Sequence, residues 1–560
     1  MLVDSHSQYL SKEEIPMNFP FPHMIRREFS GYTRENLVKD ILAGLTVAAV
    51  ALPLALAFGV GSGADAAAGL ITAILAGFMI GALGGASFQI SGPTGAMAAI
   101  LLPLSARYGV EGVLAAGMLS GIFLVLAALL SAGKIVSIIP SPVITGFTSG
   151  IAILIAFGQI DNVLGIKSHG ESIIQKIISY VQGGQSIQLQ SLFFGILVIL
   201  IMILWPKRWN ARIPSSLVGI IAALIVHMFG PFSVPDVGEI PRSLFLEHRL
   251  TLSMLDLELF QVILLPALSI AALGMIESLL CGAAGGKMRG ERLNAKQELI
   301  AQGLGNILIP FFGGVPATAA IARTSVAIKS GGRTRLTSIF HAATLIASMF
   351  LLGPIMSRIP LASLGGILMV TAWRMNEWES IRTFFQKRYK TSITQFLITM
   401  IATVVFDLTI AIVIGISLSM FLFVIRSAYL EITTSNIDER HERGRNLANR
   451  DTSVKLVYVT GQLFFGTQDQ LVSSLEDIAN QGARKIILSI RGVPSIDHSA
   501  MIALEEVHAS LKNRGVSLIF CGLQAQVAHQ FTRGGFDTTV GRSAIFHNAV
   551  EAIDSLSSSE

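Results

Sequence analysis

Two charged side chains stand alone in long apolar stretches of the sequence. Arg323 is the only charged residue within residues 299–328, and Glu277 is the only one within residues 259–286. An arginine at mid-membrane costs about 3 kcal/mol on insertion scales, so it normally faces a protein or aqueous interior. A guanidinium placed there attracts an anion. A carboxylate placed there carries a proton or coordinates Na⁺, and apolar surroundings favour its neutral, proton-carrying form.

Each of these residues also has a structural interpretation. Arg323 could be a snorkelling residue at the cytosolic end of its helix. The seven residues from Pro316 to Arg323 span only about 10 Å of helix, however, and this keeps the guanidinium near mid-membrane. Glu277 could serve only as a structural partner of Arg323. We favour an anion-attracting role for Arg323 and an ion-coupling role for Glu277.

The segment that carries Arg323 is irregular for a membrane helix. It reads FGGVPATAAIARTSV (312–326), and GGASFQISGPTGAMAAI (84–100) has the same layout of glycine, extended residues, proline and small helix formers. Proline disfavours the helical conformation of the residue before it and suits the first turn of a helix. Each segment is therefore expected to be a short extended stretch that leads into a half-helix inside the membrane. Broken backbone is tolerated there only where it lines a cavity.

The two segments also suggest internal symmetry. Pro93 and Pro316 are 223 positions apart (316 − 93), and the same shift aligns Leu54 with Glu277. We therefore expect two halves of seven spans each, inserted in opposite orientations. Two facing half-helix N-termini would each present roughly half a positive charge and free N–H groups, to which Arg323 adds a full charge. These features predict a site for a small anion.

The composition of the chain is that of a polytopic membrane protein. Of its 560 residues, 52% are hydrophobic and 14% are charged, whereas soluble domains have about 25% charged residues. Apolar runs recur up to residue 427 and predict roughly fourteen spans. The spans are expected to begin near residues 40, 66, 93, 110, 142, 190, 214, 260, 296, 316, 336, 359, 390 and 408.

Basic residues predict the orientation of the spans. An N-terminus inside the cell leaves fewer basic residues outside, such as Arg107, Lys167, Lys176 and Arg358. The cytosolic loops would then hold more of them: Lys134, Lys207, Arg208, Arg212, Lys287, Arg289, Arg292, Lys329, Arg333, Arg335, Lys387, Arg388 and Lys390. This positive-inside pattern also places the C-terminal tail in the cytosol. The modest net charge of +5 does not indicate a nucleic-acid partner.

The sequence changes character after residue 427. The charged segment TTSNIDERHERGRNLANRD predicts a linker over residues 428–450. The segments VKLVYVTG, KIILSI and VSLIFCGL are typical of strands, and SAMIALEEVHASLKNRG and QAQVAHQFTRGGF are typical of helices. Residues 451–560 are therefore expected to form a small α/β domain.

Signatures of catalysis or cofactor binding are missing from the sequence. It contains no G-x-x-x-x-G-K-[ST] phosphate loop, no H-E-x-x-H motif and no Cys/His cluster, so we predict no enzyme activity, cofactor or metal. Other isolated polar residues are given structural interpretations, with Asp407 in an external turn and His341 packed within a helix. Glycines at four-residue spacing predict close helix packing. These are Gly77, Gly81, Gly85, Gly146 and Gly150.

Four segments resemble the SulP family of anion transporters. They are DILAGLTVAAVALPLALAFGVGSG (40–63), ISGPTGAM (90–97), SPVITGFTSGIAILI (141–155) and QELIAQGLGNILIPFFGGVPATAAIARTSVAIKSGGRT (297–334). The C-terminal domain resembles the STAS domain that closes such proteins. The resemblance implies a polytopic α-helical protein of fourteen transmembrane helices in two inverted seven-helix repeats. Helices 1–4 and 8–11 would form a mobile core, and helices 5–7 and 12–14 a gate on the dimer side.

The resemblance also implies a site between the third and tenth helices. Its substrate-binding positions match Pro93, Thr94, Ala319, Ala320, Ile321 and Arg323. Its coupling-ion positions on helix eight match Glu277 and Cys281. A Na⁺-coupled bicarbonate member has Asp and Thr at those two positions, and Thr where this chain has Ile321. The loss of oxygen ligands disfavours Na⁺ coupling and favours H⁺.

The resemblance leads to a functional prediction. We predict an H⁺-coupled secondary transporter of C4-dicarboxylate, sulfate or bicarbonate that works by an elevator motion, as a homodimer in the inner membrane. The motif PATAAIAR is most similar to the bacterial C4-dicarboxylate branch. The domains would be a cytosolic segment (1–39), a transporter (40–427), the linker and the STAS domain. Alternatives are a Na⁺-coupled bicarbonate symporter, an uncoupled anion channel or exchanger, and a signalling scaffold acting through STAS.

The STAS domain carries one regulatory candidate. It resembles anti-sigma-factor antagonists, and Ser499 in SIDHSAMIAL aligns with the residue that those proteins phosphorylate. A phosphate near a helix N-terminus is electrostatically favourable. The alternative is a plain N-cap serine, which we favour. A cytosolic protein partner of STAS would fit the first interpretation.

Overall fold

The chain forms two compact units, Met1–Ile416 and Ser417–Glu560. The computed structural model describes residues 21–133, 139–166, 168, 173–182, 186–210, 213–254, 257–406, 408–436 and 453–557. Asp407, Lys134, Lys167 and Arg212 lie outside the described residues, so the predictions for them stay untested.

The first unit is almost entirely helical. Its first half contains α1 Phe21–Glu28, α2 Arg34–Gly61, α3 Ala66–Leu75, a π-helical turn Ala76–Ile80, α4 Gly81–Leu83, strand β1 Ser91–Gly92, α5 Gly95–Leu129, α6 Ser141–Gly158, α7 Ile160–Leu164, α8 Ile173–Gln182, α9 Leu189–Leu204, α10 Lys207–Asn210 and α11 Ser215–Phe229. Its second half contains α12 Leu257–Arg289, α13 Ala295–Leu308, strand β2 Thr318–Ala319, α14 Ile321–Lys329, α15 Leu336–Met356, α16 Leu361–Met375, α17 Trp378–Gln386 and α18 Lys390–Val405. Helix α19 Leu408–Ser427 crosses the boundary between the two units.

Many of these helices are suited to a membrane. Among the described residues, six are long and apolar enough to cross one: Arg34–Gly61, Ala66–Leu83, Gly95–Leu129, Ser141–Leu164, Glu258–Arg289 and Leu336–Met356. Five shorter apolar helices accompany them: Leu189–Leu204, Ser215–Phe229, Leu361–Met375, Lys390–Val405 and Val413–Ser427. Their starts lie close to the positions that the sequence predicts.

Helix α5 accounts for two predicted spans. Its 35 residues would reach about 52 Å, well beyond the roughly 30 Å hydrocarbon core of a bilayer. Gly109 interrupts the helix with a φ of 69°, a left-handed conformation that only glycine adopts without strain. The spans expected to begin near residues 93 and 110 are therefore joined at this kink.

The predicted close packing at the spaced glycines is confirmed. A Cβ atom added to Gly81 would lie 2.3 Å from the Ser338 hydroxyl of α15, and one added to Gly146 would lie 2.5 Å from the carbonyl oxygen of Phe396 in α18. The Ser338 hydroxyl donates a 2.7 Å hydrogen bond to the carbonyl oxygen of Gly77. Small residues thus let helix backbones approach without side chains between them.

A buried carboxylate fastens the start of α2 to the loop before α15. Asp40 is fully buried and accepts hydrogen bonds from the hydroxyls of Tyr32 at 2.7 Å, Thr334 at 2.7 Å and Thr337 at 2.8 Å. The backbone N–H groups of Arg333 and Thr334 donate to the same carboxylate. Burial, with the neighbouring Asp40, raises the pKa of Tyr32 to about 12, so the phenol remains a donor at neutral pH.

We expect Asp40→Ala to destabilise the protein by about 3 kcal/mol, because five donors would lose their acceptor in a buried place. Thermal unfolding in detergent measures the effect as a lower midpoint. Glu35→Ala is the matched control, since Glu35 lies in the same helix with its side chain 76% exposed. Equal midpoints for the two variants would contradict the role assigned to Asp40.

The second unit contains one five-stranded sheet. Its strands are β3 Glu431–Asn436, β4 Val454–Thr460, β5 Lys485–Gly492, β6 Ser517–Cys521 and β7 Ile545–Phe546, in that spatial order. Strand β3 is antiparallel to β4, and the other neighbours are parallel. The helices are α20 Gln468–Asn480, α21 His498–Asn513, α22 Ala525–Gly534, α23 Phe536–Val540 and α24 Ala549–Ser557.

The sequence predicted this α/β unit correctly but placed its start wrongly. All three predicted strands and both predicted helices are present as β4, β5, β6, α21 and α22. Residues 431–436, assigned to the linker, instead form strand β3 at the edge of the sheet. The threonines there favour an extended chain, but the charged run that follows them obscured this signal.

Candidate functional site

Two short strands and two helix N-termini meet inside the first unit. Strand β1 pairs antiparallel with β2, with Ser91 opposite Ala319 and Gly92 opposite Thr318. Helix α5 begins at Gly95, and α14 begins at Ile321, directly after these strands. The predicted extended stretches with their half-helices are therefore present. The second half-helix, however, begins five residues after Pro316 rather than at it, because β2 follows this proline, so the predicted seven helical residues from Pro316 to Arg323 are wrong. The two extended stretches also pair with each other, which the sequence did not predict.

Polar side chains satisfy the broken backbone before β2. Asn306 of α13 accepts a 2.7 Å hydrogen bond from the N–H of Ala317 and donates a 2.9 Å bond to the carbonyl oxygen of the same residue. Thr72 of α3 donates a 2.9 Å bond to the carbonyl oxygen of Val315. Because buried backbone groups need partners, these side chains make the irregular conformation possible.

Arg323 lies in the first turn of α14 and is buried, with 1% of its surface exposed. Its Nη2 donates a hydrogen bond to the carbonyl oxygen of Pro93 in the opposite segment. Its buried Nη1 has no hydrogen-bond partner within the described part of the chain. The snorkelling interpretation is therefore wrong, because the guanidinium points into the protein toward β1.

Gly92 makes room for this guanidinium. A Cβ atom added to Gly92 would lie 2.4 Å from Nη1 of Arg323 and 3.2 Å from its Cζ. No side chain other than hydrogen fits there unless the arginine shifts. The guanidinium thus lies directly against the backbone of β1 with one donor group free.

Glu277 of α12 faces the other half-helix. It is partly exposed, and its carboxylate accepts a 2.9 Å hydrogen bond from the hydroxyl of Thr94. Thr94 is also the N-cap of α5, where its hydroxyl accepts a 3.3 Å bond from the N–H of Met97. Across the described residues, no ion pair within 4.0 Å joins Glu277 to Arg323. Thr94, rather than Arg323, is therefore the partner of Glu277.

Cys281, one turn after Glu277, is hydrogen-bonded to a threonine of α14. Its Sγ donates a 3.3 Å hydrogen bond to the hydroxyl of Thr324. That hydroxyl also accepts a 3.0 Å bond from the N–H of Ile90. The one alcohol next to the thiol is therefore occupied by structural bonds.

The remaining predicted binding residues differ in how accessible they are. Ala319 is buried within β2, and its N–H donates a 3.3 Å hydrogen bond to the hydroxyl of Ser278. Ala320 is partly exposed, and Ile321 is 51% exposed at the first position of α14. The structure thus groups Pro93, Thr94 and Arg323 around β1. Ile321, the first residue of α14, is exposed.

A second set of buried polar residues escaped the sequence analysis. Gln302 of α13 donates 2.9 Å hydrogen bonds to the Ser91 hydroxyl and to the Glu298 carboxylate, and Glu298 accepts a 2.9 Å bond from the N–H of Gly85. Gln302 and Asn306 are four residues apart in the second half of α13, which is otherwise made of small and apolar residues. This spacing of amides on one face was the available signal.

The regulatory candidate lies in the second unit. Asp497 is the N-cap of α21 and accepts a 2.8 Å hydrogen bond from the N–H of Ala500. Ser499 is the second residue of the helix and is exposed. The interpretation of Ser499 as the N-cap is therefore wrong. Its place near a helix N-terminus is confirmed, and its phosphorylation stays a prediction.

Two family models match the sequence. The model of the sulfate permease family matches residues 37–403, and the model of the STAS domain matches residues 447–552. The first match alone covers more than half of the chain.

Whole-chain comparisons agree with these matches. "Putative sulfate transporter YvdB" of Bacillus subtilis is 34% identical over 529 residues, which cover 92% of this chain and 97% of that protein. "Bicarbonate transporter BicA" of Picosynechococcus sp. is 30% identical over 497 residues, which cover 84% and 86%.

A solved structure shows the same fold. The murine Solute Carrier 26 family member A9 (Slc26a9) anion transporter in the inward-facing state matches with a TM-score of 0.80, covering 97% of this chain and 96% of that chain. The sequence identity is 17%, so this likeness concerns the fold alone. The chain belongs to the sulfate permease (SulP) family of anion transporters: it is a multi-pass membrane protein with a C-terminal STAS domain, and it is not an enzyme.

Proposed function

We propose that this protein is an H⁺-coupled secondary transporter of a small anion of the sulfate or bicarbonate class, with C4-dicarboxylates as a third candidate. The observation that carries the proposal is the buried Arg323, which spans the two half-helices and keeps one donor group free. Relatives named for sulfate and bicarbonate support the two first-named substrates.

Electrostatics favour an anion at this place. The first turns of α5 and α14 each contribute partial positive charge and free N–H groups, and Arg323 adds a full charge. Nη1 of Arg323 is a donor that water or an anion must satisfy, because an unpaired buried donor is costly. We place the anion between Thr94 and Arg323, with Pro93, Ala320 and Ile321 bordering it and Ala319 serving as scaffold.

Coupling is proposed to use a proton on Glu277. The Glu277 side chain is partly exposed, and its hydrogen-bond partner is the neutral hydroxyl of Thr94. Protonation of the carboxylate therefore does not deprive a positively charged side chain of an ion-pair partner. Na⁺ requires several oxygen ligands, and Cys281 and Ile321 supply none. The Thr324 hydroxyl already bonds both Cys281 and Ile90. A proton moving with the anion also lowers the net charge that crosses the hydrocarbon.

The proposed architecture follows the family. The six long and five shorter apolar helices give twelve spans when α5 is counted twice. Helices α13 and α14 bring the number to fourteen. We propose an inverted 7+7 arrangement with core and gate moving as an elevator, a transporter over residues 40–427 and a STAS domain that includes β3 at its start. We further propose a homodimer in the plasma membrane with its N-terminus and STAS domain in the cytosol.

Uptake into proteoliposomes tests this function. Labelled sulfate, bicarbonate and succinate are offered separately, with an imposed pH gradient, an imposed Na⁺ gradient or neither. We expect one of these anions to accumulate, and only when the outside is acidic. Accumulation that follows Na⁺ and ignores pH would contradict proton coupling and favour a Na⁺-coupled bicarbonate symporter. Single-channel currents would favour the uncoupled alternative.

A further inference from the structure

The four tryptophans of the chain occupy two connecting segments. Trp205 follows α9 and Trp209 lies in α10, whereas Trp373 lies in the last turn of α16 and Trp378 begins α17. Arg374 joins the two segments. Its guanidinium donates to the carbonyl oxygen of Met202 near the end of α9 and to the Ser215 hydroxyl at the start of α11. Both tryptophan pairs therefore lie at the same end of this helix group.

One pair frames an open cavity. The rings of Trp373 and Trp378 are 4.4 Å apart, and the indole N–H of Trp378 donates a 3.0 Å hydrogen bond to the carbonyl oxygen of Trp373. The cavity has a volume of about 370 Å³ and is lined by these two rings, Ile381 and Arg382. Trp373 is 65% exposed and Trp378 is 43% exposed. Large exposed aromatic side chains that line a cavity indicate a binding surface.

The cavity is cationic. Arg382 makes no hydrogen bond or ion pair with any described residue, and it is exposed. The segment 373–390 contains five basic and two acidic residues, which give a net charge of +3. One of its two carboxylates, Glu377, is occupied by a 2.8 Å hydrogen bond from the Thr145 hydroxyl.

The turn between α17 and α18 adds another basic residue to this segment. Arg388 has a φ of 51°, a left-handed conformation in which glycine is normally preferred. It turns the chain from α17 to α18, where the N–H of Tyr389 donates a 3.1 Å bond to the carbonyl oxygen of Phe384. A basic residue thus occupies a turn position at which glycine would cost less.

We propose that Trp373, Trp378 and Arg382 bind the headgroup of an anionic phospholipid. Indole rings prefer the boundary between headgroups and acyl chains, and basic clusters beside spanning helices attract anionic lipid. Helix α17 is suited to lie along that boundary, because Phe384 is buried while Phe385, which also contacts Phe396, is 47% exposed. The basic residues of this segment lie on the predicted cytosolic side, which places the lipid in the inner leaflet.

Bromine quenching of tryptophan fluorescence tests the proposal. The full chain with Trp205→Phe and Trp209→Phe keeps only the two indoles of the cavity. It is placed in phosphatidylcholine nanodiscs that contain either brominated phosphatidylglycerol or brominated phosphatidylcholine at one mole fraction. We expect the phosphatidylglycerol to quench at least twofold more strongly. Arg382→Gln should bring the ratio near one, and Arg382→Lys should retain it.

Arg358→Gln is the matched control, since Arg358 is an exposed arginine just before the opposite end of α16. It should keep the phosphatidylglycerol preference. Equal quenching by both lipids in the parent chain, or equal losses in the Arg382 and Arg358 variants, would overturn the proposal. So would loss of the preference on adding inorganic phosphate at constant ionic strength, because the site would then recognise free phosphate.

A second measurement guards against misfolding of the double-tryptophan variant. Native mass spectrometry counts the phosphatidylglycerol molecules that remain on the wild-type chain and on Arg382→Gln after release from detergent. We expect at least one fewer lipid on the variant and no change for Arg358→Gln. Identical lipid counts for all three proteins would refute the site.

Discussion

Arg323→Ala is expected to lower the initial rate of anion uptake about 100-fold, which corresponds to roughly 2.7 kcal/mol. The variant removes the full positive charge from the place where two half-helices contribute only partial charges. It also removes the hydrogen bond to the carbonyl oxygen of Pro93, which links the α14 segment to the β1 segment. Uptake of the preferred anion at matched protein density in proteoliposomes measures the effect.

Two further variants separate charge from position. Arg323→Lys keeps the charge but has no planar fork, so it should retain about a tenth of the uptake rate. Gly92→Ala keeps the arginine but adds a Cβ atom 2.4 Å from Nη1, so it should impair uptake while leaving the charge unchanged. Wild-type rates for Arg323→Ala in a correctly folded protein would show that the anion is bound elsewhere.

Much of the fold was predictable because each feature depends on local chemistry. Apolar runs set the starts of the spans, and alternation of strands and helices identified the α/β unit. Proline and glycine marked the broken segments before β1 and β2. Strand β3 was missed because its threonines adjoin a charged run, and their pairing with β4 depends on residues that are distant in the sequence. Local patterns carry no information about such pairing.

The membership of the proposed site stays a prediction, and the hydrogen bonds among its residues were not predictable from the sequence. Isolation in apolar sequence identified Arg323 and Glu277, and the family motif supplied Thr94. A structural partnership between Glu277 and Arg323 was the alternative interpretation, yet Arg323 bonds Pro93 and Glu277 bonds Thr94, both in the segment of β1 and the start of α5. Which donor meets which acceptor depends on helix rotation and on the β1–β2 register. Neither is encoded in the spacing of residues along one segment.

The exposed Ile321 shows the same limit. The sequence assigned it to the site as the residue that replaces a Na⁺ ligand. The structure leaves its side chain 51% exposed and its neighbour Ala319 buried within β2. Two residues along the chain, across the strand-to-helix junction, thus separate a buried scaffold position from an accessible one. Composition and motif matching treat the two positions alike.

The Glu277 carboxylate should be required for pH-driven accumulation of the anion and dispensable for anion exchange at equal pH. Glu277→Gln keeps the size of the side chain, and its amide oxygen can still accept from the Thr94 hydroxyl. The variant cannot gain or lose a proton. We therefore expect accumulation driven by an acidic outside to fall to the level measured without a gradient. Exchange of labelled for unlabelled anion at equal pH should stay within about threefold of wild type, since the anion contacts of Arg323 remain.

Glu298→Gln is the matched control, because Glu298 is also a buried carboxylate in the first unit but bonds the scaffold residues Gly85 and Gln302. It should keep the pH-driven component if it folds, and its thermal midpoint reports whether it does. If a well-folded Glu298→Gln lost pH-driven accumulation while Glu277→Gln kept it, the coupling proton would be assigned to Glu298 of α13 instead. Loss of both drive and exchange in Glu277→Gln would instead make Glu277 part of the anion site. The coupling proton is assigned to Glu277 only if Glu277→Gln loses pH-driven accumulation but keeps anion exchange. In this result alone, proton carriage is lost while anion binding is retained.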